Sequence, residues 1–351
     1  MLVYIILAFI VGVLAFQETG NVTKKNIRNL CFALFVFLMI VGLRYWHGDY
    51  GTYEMCYYAD IDVGGDAGYF QLQQWFHHIG VSFHLFIFIL TLFSVFAFKK
   101  ILSLSYWPLF GMTVLLGKIF TMYAMSGIRQ YVAMALCWWA LYVLLKNKHR
   151  AVFVGMVLMA YTLHASAIVF LPVVFFIDRT YNYKVAILIL FLAFLGGKYA
   201  MTIFTRASDF SDLVAVRFGN YVRDEEEKSM NLLNYFENFL ILVLALVSRE
   251  KVKNILPHYD FFLYLYIIYC GFLLAGSEIG VVKRLRDYYA IAYVFIVPGT
   301  FYMLKNRKVM QSIMIVYFIF LLFRSLIVYD SAFDKGYYGR MIPYHSIFQM
   351  K

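Results

Sequence analysis

Long apolar blocks alternate with short polar stretches along the whole chain. A transmembrane α-helix needs about 20 mostly apolar residues, and a shorter block reaches that length by extending into its polar flanks. The pattern therefore predicts an all-α, polytopic integral membrane protein with about 12 transmembrane helices, within a range of about 10–13. The blocks lie at residues 1–16, 30–43, 81–98, 107–125, 131–145, 151–164, 166–177, 185–203, 232–247, 259–276, 288–303 and 310–328.

Basic residues are concentrated in alternate short loops, and this pattern predicts the orientation. Cytoplasmic loops of membrane proteins carry an excess of Lys and Arg, so these loops are expected inside and both termini outside. No linker or low-complexity tract divides the chain, and we interpret residues 1–351 as a single polytopic membrane domain. Its main outward segments are expected at 44–80, 204–231, 277–287 and the tail 329–351.

The composition excludes a soluble enzyme. Of the 351 residues, 63% are hydrophobic and 15% charged, whereas soluble domains have about 45–50% and about 25%. The net charge of +11 comes from the basic loops, so it reflects orientation and gives no support to nucleic-acid binding. Walker A, dinucleotide-binding, paired-cysteine and H-E-x-x-H motifs are missing, and we interpret the single D-x-D triplet at 60–62 as a solvated loop. Neither a metal nor a cofactor is expected.

Four arginines lie where the positive-inside rule does not place them, at predicted outer edges of spans. Arg44 ends the second span, Arg129 begins the fifth, and Arg284 and Arg286 precede another. A guanidinium is always charged, and its planar fork of donors matches phosphate oxygens. Several such groups at the membrane surface suit a lipid-linked pyrophosphate. The alternative is that each one contacts anionic lipid headgroups.

Two residues on the same predicted side are suited to act as a base. His164 lies at an outward turn between two spans, and a neutral imidazole accepts a proton from a hydroxyl near pH 7. Asp49 lies in a segment that mixes aromatic residues with carboxylates, as carbohydrate sites do. The competing explanations are a hydrogen-bonded histidine at a helix end and an interfacial belt of aromatic side chains.

Four short motifs occur in order along the chain, and a basic-aromatic stretch from Arg284 to Tyr288 accompanies them. The motifs are Gly42-Leu43-Arg44 with Gly48-Asp49-Tyr50 and Tyr53, Ile128-Arg129-Gln130 with Ala133, Leu163-His164-Ala165-Ser166-Ala167, and Ile342-Pro343-Tyr344-His345-Ser346-Ile347-Phe348. Their ordered combination resembles the EpsG family of Wzy-like bacterial polysaccharide polymerases over nearly the whole chain. One departure is Trp46-His47, which replaces the Arg/Gly-rich lead into the aspartate.

The resemblance implies a glycosyltransferase with a GT-C-like helical fold in the bacterial inner membrane, with its active face outside the cytoplasm. Such an enzyme transfers the growing glycan from undecaprenyl pyrophosphate to a sugar hydroxyl of a lipid-linked repeat unit. The implied partners are the undecaprenyl-pyrophosphate-linked oligosaccharide and membrane lipid, with a chain-length regulator as a further candidate.

The residues then receive the following expected roles. Arg129 and Arg284 are assigned to the pyrophosphate, with Arg44 and Arg286 as second choices. His164 is the candidate base, and Asp49 is an alternative base or a ligand of the acceptor sugar. Supporting substrate contacts are expected from Gln130, Ser166, Tyr53 and Tyr344. A lipid-linked oligosaccharide flippase and an O-antigen ligase-like transferase are the main rival functions, and a polytopic acyltransferase is a more distant one.

Overall fold

A computed structural model describes residues 1–18, 20, 23–62, 65–210, 232–276, 280–302, 306–331 and 340–349. At residues 198, 200–210, 232 and 233 it describes the backbone alone. Most of the predicted outward segment 204–231, residues 277–279 of the segment 277–287 and part of the tail therefore lie outside the described residues. Within them, regular structure is helical, apart from one isolated antiparallel bridge between Arg44 and Ser346. The all-α prediction is confirmed for this part of the chain.

The described residues form fourteen α-helices, and every predicted apolar block overlaps a helical segment. Short π- or 3₁₀-helical segments lie at Phe120–Ala124, Ala165–Phe175, Tyr288–Ala290 and Ile347–Gln349. The α-helices are α1 (Leu2–Phe16), α2 (Lys24–Gly42), α3 (Tyr50–Tyr58), α4 (Ala67–His78), α5 (Phe83–Leu102), α6 (Pro108–Ile119), α7 (Ile128–Asn147), α8 (Arg150–Leu163), α9 (Tyr183–Phe210), α10 (Leu232–Val252), α11 (Tyr259–Gly276), α12 (Gly280–Asp287), α13 (Ile291–Tyr302) and α14 (Arg307–Ser331).

Five of the described helices, α2, α5, α7, α11 and α14, are both long and apolar enough to cross a membrane. Shorter apolar helices, such as α1 and α8, accompany them. The protein is therefore a helical membrane protein, while a total of about 12 spans stays a prediction.

The chain divides into two compact units. The first comprises Met1–Val174 and Leu304–Lys351, and the second comprises Phe175–Met303. In the first unit α7 is the central helix, since most of its side chains are buried and it packs against α5 and α8. Helix α6 packs against α1 and α14 in the same unit. Its first turn is capped by the buried Glu18, whose carboxylate accepts the amides of Leu109 and Phe110 at 3.1 and 3.0 Å.

The second unit is built around α11, which packs against α9, α10, α12 and α13. Aromatic rings fill much of this core, and the Phe262 and Phe295 rings stack with centroids 3.6 Å apart. Asn238 is fully buried between these helices, and its backbone carbonyl accepts the Tyr266 hydroxyl at 3.0 Å.

The predicted outward segment 44–80 is largely helical, because α3 and α4 occupy much of it. Residues 340–349 pack against its beginning. The amide of Tyr45 donates to the His345 carbonyl at 2.9 Å, and that of Ile347 donates to Leu43 at 3.0 Å. The His47 ring is fully buried between them and stacks on Tyr344 at a centroid distance of 5.2 Å. The C-terminal segment thus holds the chain in place just before Asp49.

Candidate functional site

The start of α7 brings Ser126 and Arg129 to one end of the first unit. A π-helical turn, Phe120–Ala124, interrupts the chain after α6, and π turns often occur at functional sites. Gly127 then caps α7. On the neighbouring loop, Gly48 has φ +58°, and a Cβ added to it would lie 2.5 Å from the Cβ of Ser126. Glycine is therefore required at residue 48 for the loop that carries Asp49 to approach α7 this closely.

Asp49 lies beside Ser126 in a short chain of hydroxyl groups. The Ser126 hydroxyl donates to Asp49 Oδ2 at 3.0 Å and also lies 2.7 Å from the Tyr329 hydroxyl of α14. The Asp49 side chain is otherwise exposed, and its second oxygen, Oδ1, makes no hydrogen bond within the described part of the chain. This carboxylate is therefore positioned by one bond and still able to accept a hydroxyl hydrogen from a ligand.

Arg129 is oriented by two side chains from the segment 44–80. Its Nε donates to the Tyr53 hydroxyl at 3.2 Å, and its Nη1 donates to Asp66 Oδ2 at 2.7 Å. The side chains of Arg129 and Asp66 are 15% and 9% exposed, so the ion pair is mostly shielded from water. Nη2 of Arg129 makes no hydrogen bond to the described residues. The guanidinium is thus fixed in place while one of its nitrogens remains available to an anion.

The second oxygen of Asp66 links this arginine to the His164 turn. Oδ1 accepts the amide of Ala165 at 3.2 Å. The neighbouring His164 is half-buried, with its Nδ1 2.6 Å from the Ser166 hydroxyl. Asp66 therefore connects the start of α7, which carries Arg129, with the turn after α8, which carries His164.

Arg44 is more deeply buried than the sequence suggests. It is 2% exposed, its Nη1 donates to the Val41 carbonyl, and its Nε has no partner. No carboxylate among the described residues pairs with it. Burial lowers the pKa of Arg44, while nearby tyrosines, among them Tyr50 and Tyr69, act in the opposite direction. The Tyr69 hydroxyl is also buried without a partner, and the charges of both Arg44 and Arg129 act on it.

Two of the expected supporting residues are buried within the protein. Gln130 is 3% exposed. The Tyr344 hydroxyl donates to the Ile40 carbonyl at 2.9 Å, at the end of α2. Tyr344 therefore anchors the C-terminal segment, whereas Tyr53 and Ser166 contact Arg129 and His164 directly.

Arg284 and Arg286 belong to the second unit and lie on the short helix α12. Arg286 is buried, and its Nη2 is 2.9 Å from Asp287 Oδ1. Its guanidinium also lies over the Tyr269 ring, 5.0 Å from the centroid. Arg284 is half-buried. Arg286 is thus neutralised within its own unit.

Sequence reasoning missed Asp66 and Ser126, which hold the predicted residues together. Asp66 is one of three aspartates in the stretch 60–66, and nothing in the sequence distinguishes it from Asp60 or Asp62. Asp60 instead pairs with His77 at 3.1 Å. Within the described ranges, no group of three His, Cys, Asp or Glu side chains has the arrangement of a metal site.

Comparison with known proteins identifies the family. The sequence model of the EpsG family matches residues 27–346, which is most of the chain. Neither a curated protein nor a solved structure gives a significant match. The matched range includes Arg44, Asp49, Arg129 and His164. The chain therefore belongs to the EpsG family of Wzy-like polysaccharide polymerases, and it is a membrane protein of the glycosyltransferase type.

Proposed function

We propose that this protein elongates a surface polysaccharide on the outer face of the bacterial inner membrane. The donor is the growing glycan on undecaprenyl pyrophosphate, and the acceptor is a sugar hydroxyl of a lipid-linked repeat unit. In this proposal about 12 spans place the segment 44–80, the His164 turn and the C-terminal segment on that outer face.

One observation carries the proposal. Arg129, Asp49 and His164 come from three distant parts of the sequence, yet hydrogen bonds of Ser126 and Asp66 link the segments that carry them at one end of the first unit. Ser126 lies three residues before Arg129 in the sequence, just ahead of the N-terminus of α7. A cation next to a positioned carboxylate and an imidazole supplies the groups that transfer from a pyrophosphate-linked sugar requires.

The proposed reaction is a displacement at the anomeric carbon of the donor sugar. The bond from this carbon to the pyrophosphate oxygen breaks, and its electron pair remains on the pyrophosphate. The acceptor oxygen forms the new bond and loses its proton to the base. Arg129 stabilises the charge that develops on the pyrophosphate through Nη2, and Asp66 and Tyr53 hold the guanidinium in the orientation that this requires.

Asp49 and His164 are the two candidates for the base. We favour Asp49, because its Oδ1 makes no hydrogen bond within the described part of the chain and can accept the proton of a sugar hydroxyl. In this arrangement His164 and Ser166 contribute to binding of the acceptor sugar. Gln130, Tyr53, Tyr344 and the arginines Arg44, Arg284 and Arg286 remain proposed as supporting or secondary groups. A chain-length regulator is a proposed partner.

Reconstitution tests this function. The purified protein in liposomes receives the undecaprenyl-pyrophosphate-linked repeat unit, and products are separated by length. We expect polymers of many repeats and release of undecaprenyl pyrophosphate, which follow from transfer between two lipid-linked units. Movement of the repeat across the bilayer without elongation would identify a flippase instead. Transfer only to an added lipid A-type acceptor would identify a ligase. Either result would overturn the proposal.

A further inference from the structure

A cavity of about 350 Å³ lies in the first unit at the ends of α5 and α7 that carry the basic loops. Its residues Tyr142 and Lys146 belong to the last two turns of α7, whereas Arg129 of the candidate site belongs to the first turn of the same helix. Three lysines line the cavity, together with two aromatic rings, two aliphatic side chains and a hydroxyl. The lining residues are Ile27, Phe96, Lys99, Lys100, Ser103, Leu104, Tyr142 and Lys146.

The three lysines place positive charge at this cavity without compensation. None of Lys99, Lys100 and Lys146 forms an ion pair with a carboxylate of the described residues. The Lys100 ammonium is held over two rings of the wall, 5.1 Å from the Phe96 centroid and 5.7 Å from the Tyr142 centroid. Like charges at one cavity repel each other, and a bound anion removes this repulsion. The clustered lysines therefore favour binding of an anionic group in this cavity.

Exposed apolar side chains form a stripe along α5 that ends at the lysines. Leu85, Leu92 and Phe96 are exposed on α5, and their spacing of seven and four residues places them on one face of the helix. Lys99 and Lys100 continue this face by one turn. Next to it, the Trp139 ring of α7 packs against Phe96 with centroids 5.1 Å apart. Such a stripe ending in cations matches an acyl chain that ends in an anionic headgroup.

We propose that this cavity, the lysine cavity, binds the phosphate of an anionic phospholipid, whose acyl chain lies along α5. The ammonium groups of Lys99, Lys100 and Lys146 contact the phosphate, and the Phe96 and Tyr142 rings contact the upper part of the chain. Because the lysines belong to the basic loops, the lipid belongs to the cytoplasmic leaflet. The proposal is independent of the polymerase site.

Thermal unfolding of the delipidated protein in detergent tests the proposal. Phosphatidylglycerol, phosphatidylcholine with the same chains, and inorganic phosphate are added at equal phosphate concentration. A ligand that binds the folded state raises Tm. We expect phosphatidylglycerol to raise the Tm of the unmodified protein and the other two additions to leave it unchanged. The double variant Lys100→Gln/Lys146→Gln is expected to lose more than about half of the shift.

A matched control removes the same charge elsewhere. Lys184 and Lys251 are exposed residues of the second unit, so Lys184→Gln/Lys251→Gln should keep the full shift. Lys100→Arg/Lys146→Arg keeps both charges and should restore it. If the double glutamine variant does not unfold cooperatively, the single variant Lys146→Gln provides the same comparison. A full shift in the glutamine variants, or an equal shift with phosphatidylcholine, would overturn the proposal. An equal shift with inorganic phosphate would show a site for free phosphate and overturn the lipid assignment.

Discussion

Asp66 and Arg129 form the ion pair around which the candidate site is organised, with Asp66 Oδ2 2.7 Å from Arg129 Nη1. The other oxygen of the same carboxylate accepts the amide of Ala165. A single side chain thus fixes the direction of the guanidinium and the position of the turn that carries His164. Asp66 touches neither donor nor acceptor in the proposed reaction, so we assign it as a positioning residue.

Replacing Asp66 tests this assignment. We expect Asp66→Asn to lower kcat for polymerisation by about 10²-fold, because a catalytic group displaced by about 1 Å loses that much. KM should change less. The measurement is polymerisation in liposomes with a double-mutant cycle, in which Asp66→Asn should add little to the loss caused by Arg129→Ala.

The matched control for this substitution lies in the second unit. Asp260 pairs with Arg249 through two hydrogen bonds of 2.7 Å. Asp260→Asn should lower the stability, as Asp66→Asn does, and leave kcat unchanged in folded protein. Equal losses of kcat in the two variants would show that Asp66 acts on stability alone.

Arg44 provides a second prediction, since stability and activity should respond in opposite directions. A buried guanidinium without a carboxylate is costly, and replacement of buried charges by apolar side chains of similar volume is often neutral or stabilising. We expect Arg44→Met to keep or raise the Tm and to lower polymerisation by at least about tenfold. Thermal unfolding and the liposome assay measure the two effects. A fall in Tm with unchanged activity would assign Arg44 to the fold alone.

The buried His47 is expected to lower the free energy of unfolding in acid. Its Nδ1 donates to the Arg340 carbonyl at 2.7 Å, and its Nε2 lies 2.8 Å from the amide and 3.1 Å from the carbonyl of His345. The short contact with the amide is one in which a neutral ring accepts. Burial lowers the pKa of His47 from 6.5 to about 4. The unfolded chain therefore binds this proton first, and stability is lost as the pH falls from about 6.5 to about 4, by roughly 3 kcal/mol.

Unfolding curves across this pH range measure the effect. His47→Gln can keep one donor and one acceptor without titrating, so its stability should change less with pH. The exposed His149 is the control, and His149→Gln should retain the response of the unmodified protein. Identical pH responses in all three proteins would contradict the role of His47.

The buried Glu18 has the opposite effect to His47, because its contribution to stability is expected to be lost as the pH rises. Burial raises the pKa of Glu18 from 4.5 to about 7, and the amides of Phe110 and Leu109 only partly offset this rise. The folded state therefore retains the proton longer than the unfolded chain does. Its contribution to stability is lost as the pH rises from about 4.5 to about 7, by roughly 3 kcal/mol. Glu18→Gln should remove this dependence, whereas the exposed Glu250→Gln should not. If the free energies of unfolding of Glu18→Gln and the unmodified protein differ by the same amount at every pH from 4.5 to 8, this role of Glu18 is contradicted.

The apolar pattern predicts the long apolar helices better than it predicts the structure of the segments between them. The block at 259–276 coincides with α11, because continuous apolar residues with no helix breaker specify a buried helix. The same pattern does not indicate α3 and α4, whose residues are mixed polar and aromatic. Their position depends on packing: at Gly68 of α4, an added Cβ would lie 2.3 Å from the Thr162 hydroxyl of α8.

The sequence predicts which types of chemical group belong to the candidate site, but it does not predict which residues these groups contact. Arg129, His164 and Asp49 have residue types and positions that suggest anion binding and proton transfer. That Arg129 is paired, and that Arg44 is almost fully buried, depends on which helices meet. The approach of α4 to α8 brings Asp66 between Arg129 and Ala165, and the C-terminal segment packs beside Arg44. Neither contact is visible in the order of residues.

A comparison of Arg129 with Arg249 tests the proposed polymerase site most directly. Both arginines pair with an aspartate and lie over a tyrosine ring, Arg129 at 5.8 Å and Arg249 at 4.8 Å, but only Arg129 belongs to the proposed site. The measurement is the polymerisation rate in liposomes for Arg129→Ala and Arg249→Ala, each confirmed as folded. We expect a loss of about 10²–10³-fold for Arg129→Ala and a rate near that of the unmodified protein for Arg249→Ala. Polymerisation by folded Arg129→Ala at the unmodified rate would contradict the proposed site.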